Sequence, residues 1–236
     1  MQRKKWLTII ALFVFFLSML SYSLAKEDGV RWRQLPKDNL IRQADLFKDH
    51  KVLRKIFLFP EEGFDENEAL KIGATIDKLP PSLLEKTAES GVRVKLFQGN
   101  LTENQSAAKL KGQTPRGYLN KKTTWDDVPG MGGSHTVLVK IGASDKGNGH
   151  GSVNLELHEL AHSIDNIVFD GIRENIDYLT IWGKEVDGLF PGQSYFSNYP
   201  EEYFAETFAM FYVNAEQNQL LKQKAPETYH FIKQLD

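Results

Sequence analysis

Residues 158–162 read His-Glu-Leu-Ala-His, a spacing that can place two imidazoles and one carboxylate around a metal ion. On a helix, His158 and His162 lie one turn apart on the same face, so both rings can bind one ion. Glu159 is offset by one position and can reach a water molecule on that ion without binding the ion itself. This pattern is typical of zinc peptidases, although the same residues also occur on ordinary helical faces.

The sequence around this pentapeptide predicts the helix that must carry it. Apolar side chains recur at helical spacing on both sides of the histidines, which indicates one buried face. These side chains are Leu157, Leu160, Ala161, Ile164, Ile167 and Val168. Gly149 and Gly151 precede the helix and Gly171 follows it, where a helix is expected to start and stop. A pair of core histidines without a metal is the alternative interpretation.

The position of a third ligand separates the subclasses of zinc peptidase. Where metzincins have a third histidine, this chain has Val168, which excludes that family. Asp165 is on the same helix as the histidines, and a ligand from there would crowd a tetrahedral site. We therefore expect the ligand from a later segment, in which Glu202 and Glu206 lie one helical turn apart. A metal for Glu202 and a histidine N–H for Glu206 would compensate for the burial of both acids.

A second helix is predicted from residue 200 onward. Pro200 suits the first helical position, with Asn198 or Ser197 as the N-cap. Many of the following side chains are too apolar for a solvated helix: Phe204, Ala205, Phe208, Phe211 and Tyr212. A solvated acidic edge remains the alternative for the two glutamates.

These groups together predict hydrolysis of a peptide bond. Zinc with three protein ligands keeps a fourth position for water and lowers the pKa of that water to ~7. Glu159 would take the proton of the water and deliver it to the leaving amine. The developing oxyanion needs a further donor. Tyr195, on the segment that enters the second helix, is a candidate, with Tyr199 and Tyr203 nearby.

Three blocks of the chain, residues 124–134, 146–165 and 195–208, resemble the Pro-Pro endopeptidases. These are secreted bacterial zinc proteases related to the catalytic domain of anthrax lethal factor. The resemblance implies an α+β zincin fold, with a small mixed β-sheet in the N-terminal lobe, a mainly helical C-terminal lobe and the active-site cleft between them. It also implies cleavage between two consecutive prolines, in proline-rich segments of surface proteins of the producing cell.

The resemblance assigns roles to individual residues. It implies that His158, His162 and Glu202 bind one zinc ion. It implies that Glu159 is the general base and that Tyr195 is the catalytic tyrosine. Two further acids match residues that flank the site: Glu201 and Glu206.

Candidate substrate-binding residues precede the metal helix. Proline-rich peptides favour polyproline II and lack the N–H groups of a full backbone ladder, so aromatic surfaces normally bind them. Arg116, Tyr118 and Trp125 are candidates for this role, although simple loop packing is an alternative for both aromatic residues. A glycine-rich turn supplies four more: Gly132, Gly133, Ser134 and His135. Familiar relatives have lysine in place of Arg116 and tryptophan in place of Tyr118, and they lack His135, so the preferred residues around the cut stay open.

The N-terminus predicts export. Residues 1–5 are basic, an apolar run follows to Leu20, and Ser23-Leu24-Ala25 is a small-residue cleavage pattern, so residues 1–25 are predicted to be a signal peptide. A short membrane anchor is the alternative, although the run is below the ~20 residues that a span needs. The chain has no cysteine, which excludes disulfides and cysteine-bound zinc and fits export from a Gram-positive bacterium.

We expect residues 26–236 to form one zincin-type catalytic domain, with lobes at about 26–150 and 151–236. Loss of Arg3, Lys4 and Lys5 with the signal peptide takes the formal charge from -2 to -5. This charge argues against nucleic acid and anionic membrane as partners. We expect a secreted monomer that has no membrane contact after cleavage of the signal.

Periodicity predicts the remaining elements. Strands are expected over residues 51–59, 91–97 and 135–141, and helices over 66–78, 82–90, 216–223 and after Pro226. The strand over 91–97 is expected to be half exposed, because apolar residues alternate with Arg93 and Lys95. In zincins a strand placed like 135–141 lines the upper edge of the cleft.

Two other functions remain open. One is a zinc endopeptidase of different specificity, which cuts beside a single proline or in a host protein. The other is a non-catalytic surface module that keeps zinc for structure. Structural zinc normally has four protein ligands and this chain offers three, which favours catalysis.

Overall fold

A computed structural model describes residues 29–116 and 122–235. The first half combines short helices and strands: α1 (Leu40–Gln43), α2 (Asp45–Asp49), α3 (Lys51–Ile56), β1 (Phe57–Leu58), α4 (Glu66–Ile76), α5 (Pro81–Glu89), β2 (Arg93–Phe97), β3 (Gly130–Met131) and β4 (Thr136–Lys140). The second half is helical: α6 (Leu155–Ser163), α7 (Ile176–Leu189), α8 (Ser194–Asn198), α9 (Pro200–Val213), α10 (Ala215–Lys224) and α11 (Pro226–Lys233). The predicted signal peptide and Tyr118 lie outside the described residues. None of the described helices combines the length and the apolar character that a membrane span needs.

The four strands form one mixed sheet in the order β1-β2-β4-β3. β1, β2 and β4 are parallel, and β3 pairs antiparallel with β4. This sheet, which precedes a helical second half, agrees with the predicted α+β class. β4 is an inner strand, so the prediction that it lines the edge of the cleft is wrong. β3 covers it, and Gly130 and Met131 line the cleft instead.

β2 is buried on both faces, which contradicts the predicted half-exposed strand. Val94 and Leu96 belong to the main core, whereas Phe97 joins a second cluster with Leu101, Ala107 and Leu138. Lys95 is only 7% exposed. The alternation of polar and apolar residues therefore does not predict the burial of β2, because the loop between β2 and β3 covers the face that the pattern assigns to solvent.

The segment from residue 51 to 59 is mostly helical, and the prediction of one strand there is wrong. α3 takes up its first six residues, and only Phe57 and Leu58 pair with β2. Leu53 and Ile56 are fully buried. Their spacing also suits a helix, and a short apolar run does not distinguish the two structures. The helices predicted over 66–78, 82–90 and 216–223 are present, with small shifts at their ends.

α6 carries the two histidines and begins at Asn154, whose side chain accepts a hydrogen bond from the Leu157 N–H at 3.0 Å. A π-helical turn, Ile164–Val168, extends the helix. Gly171 follows with φ 95°, a left-handed conformation that favours glycine. The predicted helix is therefore confirmed, with an irregular last turn.

α9 lies against α6 and brings the two glutamates to the histidines. Pro200 is its first residue, as predicted. The N-cap is Tyr199, so the predicted caps Asn198 and Ser197 are wrong. Both belong to α8. The carbonyl of Tyr199 accepts the N–H of Glu202 at 3.1 Å, which has no partner within the helix ladder, and the N–H of Tyr203 in the first ordinary helical bond.

Candidate active site

His158, His162 and Glu202 form a group that could hold a metal ion. The Nε2 atoms of the two histidines are 3.3 Å apart, and each lies 3.4 Å from the Oε2 atom of Glu202. Ligands that bind zinc tetrahedrally at 2.0–2.2 Å are separated by ~3.3–3.5 Å, since the edge of a tetrahedron is about 1.6 times the bond length. The three atoms therefore have the spacing that one tetrahedral ion requires.

Glu206 fixes the orientation of His158. Its Oε2 atom lies 3.1 Å from Nδ1 of His158, and its Oε1 atom accepts the backbone N–H of Val153 at 3.0 Å. A carboxylate only accepts hydrogen bonds, so the His158 proton is on Nδ1, and Nε2 presents its lone pair to the metal position. Burial alone would raise the pKa of Glu206, but the hydrogen bond and charge of His158 outweigh it and lower the pKa.

The second oxygen of Glu202 faces away from the histidines. Oε1 accepts a hydrogen bond from Nη2 of Arg116 at 3.3 Å, and the same Nη2 atom donates to Oε1 of Glu201 at 2.7 Å. The Arg116 guanidinium also stacks on the ring of Tyr199, with Cζ 4.1 Å from the centroid. Arg116 therefore links the loop before residue 117 to the start of α9 and lies between Glu201 and Glu202.

The electrostatic environment favours a cation at the three ligand atoms. Burial alone would lower the pKa of His158, yet the carboxylates of Glu202 and Glu206 raise it. Burial alone would raise the pKa of Glu202, and hydrogen bonds from the two histidines hold it far below its usual range. A site that stabilises added positive charge in this way is suited to a metal ion.

Glu159 lies beside the ligands on the cleft side of α6. Burial raises the pKa of its carboxyl group, and the negative charge of Glu202 adds to the effect. A carboxyl group with a raised pKa is a better proton acceptor than an ordinary surface glutamate. The carboxyl group therefore lines the cleft with a pKa above its usual value.

Of the three candidate tyrosines, Tyr195 is the one that lines the cleft. Burial raises the pKa of its phenol, and so does the adjacent Glu202 carboxylate. The hydroxyl therefore stays protonated and can donate a hydrogen bond. Tyr203 is fully buried and bonds to Thr228, and Tyr199 lies beneath Arg116.

The glycine-rich turn packs against the metal helix. A Cβ atom on Gly132 would lie 1.9 Å from the carbonyl oxygen of Glu159, and one on Gly130 would lie 2.7 Å from its Cγ. Ser163 joins the two elements further, because its hydroxyl accepts the N–H of Gly133 and donates to the carbonyl of Ser134. These glycines allow the turn to approach α6 closely, a need that the sequence alone did not indicate.

Some of the other predicted substrate-binding residues line the cleft and some do not. Trp125 lines the cleft and, like Met131, packs against the second core cluster. Gly132 and Gly133 line the cleft, whereas Ser134 and His135 are not among the lining residues. His135 is exposed at the start of β4, beside Gly91. Together the lining residues enclose a cleft of about 1260 Å3.

Two further residues near the motif have structural partners. Asp165 is buried and accepts a hydrogen bond from Nε of Arg173 at 2.6 Å. His150 lies in the glycine-rich loop before α6, and its Nε2 atom contacts the carbonyl of Ala143 at 2.8 Å. The sequence does not point to Val153, whose backbone N–H donates to Glu206, because a backbone group leaves no signal in the residue type.

Comparisons with known proteins identify the family. Residues 42–235 match the family model described as anthrax toxin lethal factor, N- and C-terminal domain. A Pro-Pro endopeptidase of Clostridioides difficile (strain 630) is 42% identical over 184 residues, which are 78% of this chain and 83% of that protein. One of Paenibacillus alvei is 36% identical over 188 residues, 80% of this chain and 86% of that protein.

The fold has a solved counterpart. The structure of the Pro-Pro endopeptidase PPEP-2 from Paenibacillus alvei superposes with a TM-score of 0.74 at 37% identity, and covers 78% of this chain and all of that one. Fold and site define a protease of the lethal factor class, and the predicted zincin-like α+β fold is confirmed. The chain belongs to the Pro-Pro endopeptidase family.

Proposed function

We propose that the chain is a secreted zinc endopeptidase that hydrolyses the bond between two prolines in proline-rich segments of bacterial surface proteins. The observation that carries this proposal is the triangle of His158, His162 and Glu202 atoms, 3.3–3.4 Å on each side, in a close relative of Pro-Pro endopeptidases. Residues 26–236 act as one catalytic domain and as a monomer.

Zinc, when bound, supplies Lewis-acid polarisation of the peptide carbonyl and lowers the pKa of water. Glu159 accepts the proton of the attacking water and then delivers it to the leaving proline nitrogen. The Tyr195 hydroxyl donates a hydrogen bond to the carbonyl oxygen as negative charge develops on it. Glu206 holds His158 in the tautomer that the reaction needs, and Glu201 holds Arg116 next to the ligand Glu202.

The short edge strand and an aromatic side chain beside the cleft support a proline-rich substrate. A proline on the leaving side has no N–H, so the substrate cannot form a full ladder with an edge strand. The edge strand β3 is correspondingly short, with only Gly130 and Met131. Trp125 beside it offers an aromatic surface of the kind that binds polyproline II. Arg116, Tyr118 and the turn from Gly132 to His135 complete the proposed substrate-binding residues.

A pair of quenched peptides tests the proposal. One contains a central Pro-Pro pair, and the matched peptide has alanine in place of the second proline. We expect cleavage of the first between its prolines, loss of activity with a chelator, and recovery when zinc is restored. Cleavage of the second peptide at an equal rate would instead favour the alternative specificity for a single proline.

A zinc-binding module without catalysis is the other alternative. In that case the protein would bind zinc and cleave neither peptide across a diverse set of flanking residues. The Glu159→Gln variant separates the cases, because it removes the proton acceptor and leaves the three ligands intact. We expect this variant to retain one zinc ion per chain and to lose cleavage.

Export is part of the proposal and has a separate test. The relatives come from Clostridioides difficile and Paenibacillus alvei, which are Gram-positive bacteria. The expected mature protein starts at Lys26 and appears in the culture medium of the producing cell. Mass spectrometry of the secreted chain measures that start, and a product that keeps residues 1–25 would favour the membrane anchor.

A further inference from the structure

Basic residues are concentrated in the sequence around Trp32, near the start of the described chain. Residues 31–56 contain eight lysines and arginines and only three aspartates, although the whole sequence has a net charge of -2. The basic residues, which we call the Trp32 patch together with the tryptophan, are Arg31, Arg33, Lys37, Arg42, Lys48, Lys51, Arg54 and Lys55. The proposed catalytic reaction uses none of them.

Two arginines are fixed against the indole ring. The Cζ atoms of Arg42 and Arg54 lie 4.6 Å and 4.8 Å from the ring centroid of Trp32. Arg42 donates to the carbonyl of Trp32 at 3.1 Å, and Arg54 donates to the carbonyl of Lys48 at 2.7 Å. Trp32 is itself held by its indole N–H, which donates to the carbonyl of Ile41 at 3.0 Å. The two charges are therefore held in place before any ligand arrives.

These charges are not neutralised locally. Within residues 29–116 and 122–235, the partners of Arg42 and Arg54 are carbonyl groups and the Trp32 ring rather than carboxylates. The two guanidinium groups lie within about 10 Å of each other, close to one Debye length at physiological salt, so they repel. Each guanidinium has five N–H donors, and the carbonyl bonds leave donors for an anion. An anion that bridges both groups would relieve the repulsion.

Of the remaining cations, Lys48 pairs with Asp45 at 3.5 Å, and four others are exposed. Lys51 and Lys55 are exposed and lie one turn apart on α3, and Arg33 and Lys37 are exposed on the segment before α1. Charges spread over three short helices suit a chain of anions rather than a single phosphate. Guanidinium groups bind phosphate oxygens in a bidentate manner, which favours phosphodiesters.

The Trp32 patch and the cleft lie at opposite edges of the sheet. Val30 pairs with Phe59 next to β1, whereas the cleft adjoins β3. The strand order β1-β2-β4-β3 puts three strand spacings, ~14 Å, between these edges. A polymer bound at the patch would therefore leave the cleft open to substrate.

We propose that the Trp32 patch binds a phosphodiester polyanion of the cell surface. The proposal rests on the proposed export, which would bring the mature chain to that surface. Binding at the patch would retain the protease near surface proteins while its cleft stays accessible. Polyanion binding and peptide cleavage use different residues, so an experiment can refute either proposal without refuting the other.

The test measures binding of the mature chain to poly(glycerol phosphate) at rising salt concentrations. The Lys51→Gln/Lys55→Gln variant removes two exposed cations from the patch. We expect at least a several-fold weaker affinity and a smaller dependence of the affinity on salt concentration, since each lysine that pairs with a phosphate adds to that dependence. The matched control, Lys222→Gln/Lys224→Gln, removes two exposed cations from α10 and is expected to bind like the parent.

A second variant is Arg42→Gln/Arg54→Gln, for which thermal unfolding is measured together with binding. The lysine pair keeps the test valid if loss of the arginines unfolds the N-terminal helices. Absence of binding by the parent chain at physiological salt, or an equal loss in the α10 control, would overturn the proposal. Equal affinity for duplex DNA or anionic phospholipid vesicles at matched phosphate would overturn the choice of partner. Cleavage of the Pro-Pro peptide is expected to be unchanged in every variant.

Discussion

Replacement of Glu206 by glutamine tests whether this acid sets the metal affinity of the site. Each carboxylate oxygen accepts one hydrogen bond, from His158 Nδ1 at 3.1 Å and from the Val153 N–H at 3.0 Å. The amide of Glu206→Gln has one acceptor oxygen, and its NH2 group must face one of these two donors. Val153 cannot change its donor, whereas His158 can move its proton to Nε2, which then cannot bind a metal.

The size of the effect follows from the hydrogen bond that is lost. Partners of this kind behind a metal-binding histidine contribute about 10–100-fold to metal affinity. This corresponds to ~1.4–2.7 kcal/mol, which agrees with ~1.5–3 kcal/mol for a hydrogen bond to a charged group. We therefore expect zinc to dissociate 10–100 times more readily from Glu206→Gln, as measured by competition with a chromophoric chelator.

Glu201→Gln is the matched control, because it neutralises a neighbouring acid on the same helix. Glu201 pairs with the half-exposed Arg116 rather than with a ligand histidine. An ion pair of this kind is worth ~0–1 kcal/mol, so the affinity should change by well under tenfold. Thermal unfolding of both metal-free variants checks that the fold persists. An affinity of Glu206→Gln equal to that of the parent would refute the assigned role.

Four further outcomes are expected. Glu159→Gln should reduce kcat by about 10²–10⁴-fold with zinc retained in metal analysis, and loss of the metal would contradict a pure proton-transfer role. Tyr195→Phe should lower kcat by ~10²-fold or more with little change in KM, and an unchanged kcat would mean that another group donates to the oxyanion. Gly132→Ala should lower Tm by at least about 4 °C, because its Cβ would lie 1.9 Å from a carbonyl oxygen, whereas Gly151→Ala has open space and serves as the control. Burial raises the pKa of Glu156, so the folded state binds the proton more tightly than the unfolded state, and stability is lost as pH rises through the folded pKa. Glu156→Gln should weaken this dependence in urea midpoints measured against pH, because Glu159 contributes in the same direction, and an unchanged dependence would assign all of it to other groups.

The positions of the candidate site residues could be predicted from sequence because helical periodicity fixes their places along each helix. His158, Glu159 and His162 share one helix, and the spacing of Glu202 and Glu206 on a second helix already indicated one metal ligand and one histidine partner. Periodicity does not predict contacts between segments that are distant in sequence. The bond from the Val153 backbone to Glu206 spans 53 residues and depends on the path of a loop.

The fold was predicted less well where a short apolar run fits two structures. Residues 51–56 satisfy both strand and helix spacing, and helix α3 forms because Leu53 and Ile56 pack into the core on one face. Alternation alone assigns Lys95 to solvent, yet it is buried, and the loop after β2 packs on Phe97, which shares its face of the strand. These errors share one cause, since the burial of a short element depends on segments that pack over it from elsewhere in the chain.

The shortness of β3 also affects how the protein behaves at high concentration. Long exposed strand edges act as templates for pairing between copies and thus for aggregation. An edge of two residues, Gly130 and Met131, presents few N–H and C=O groups in succession. It can therefore adjoin an open cleft without offering neighbouring molecules a persistent β-sheet contact.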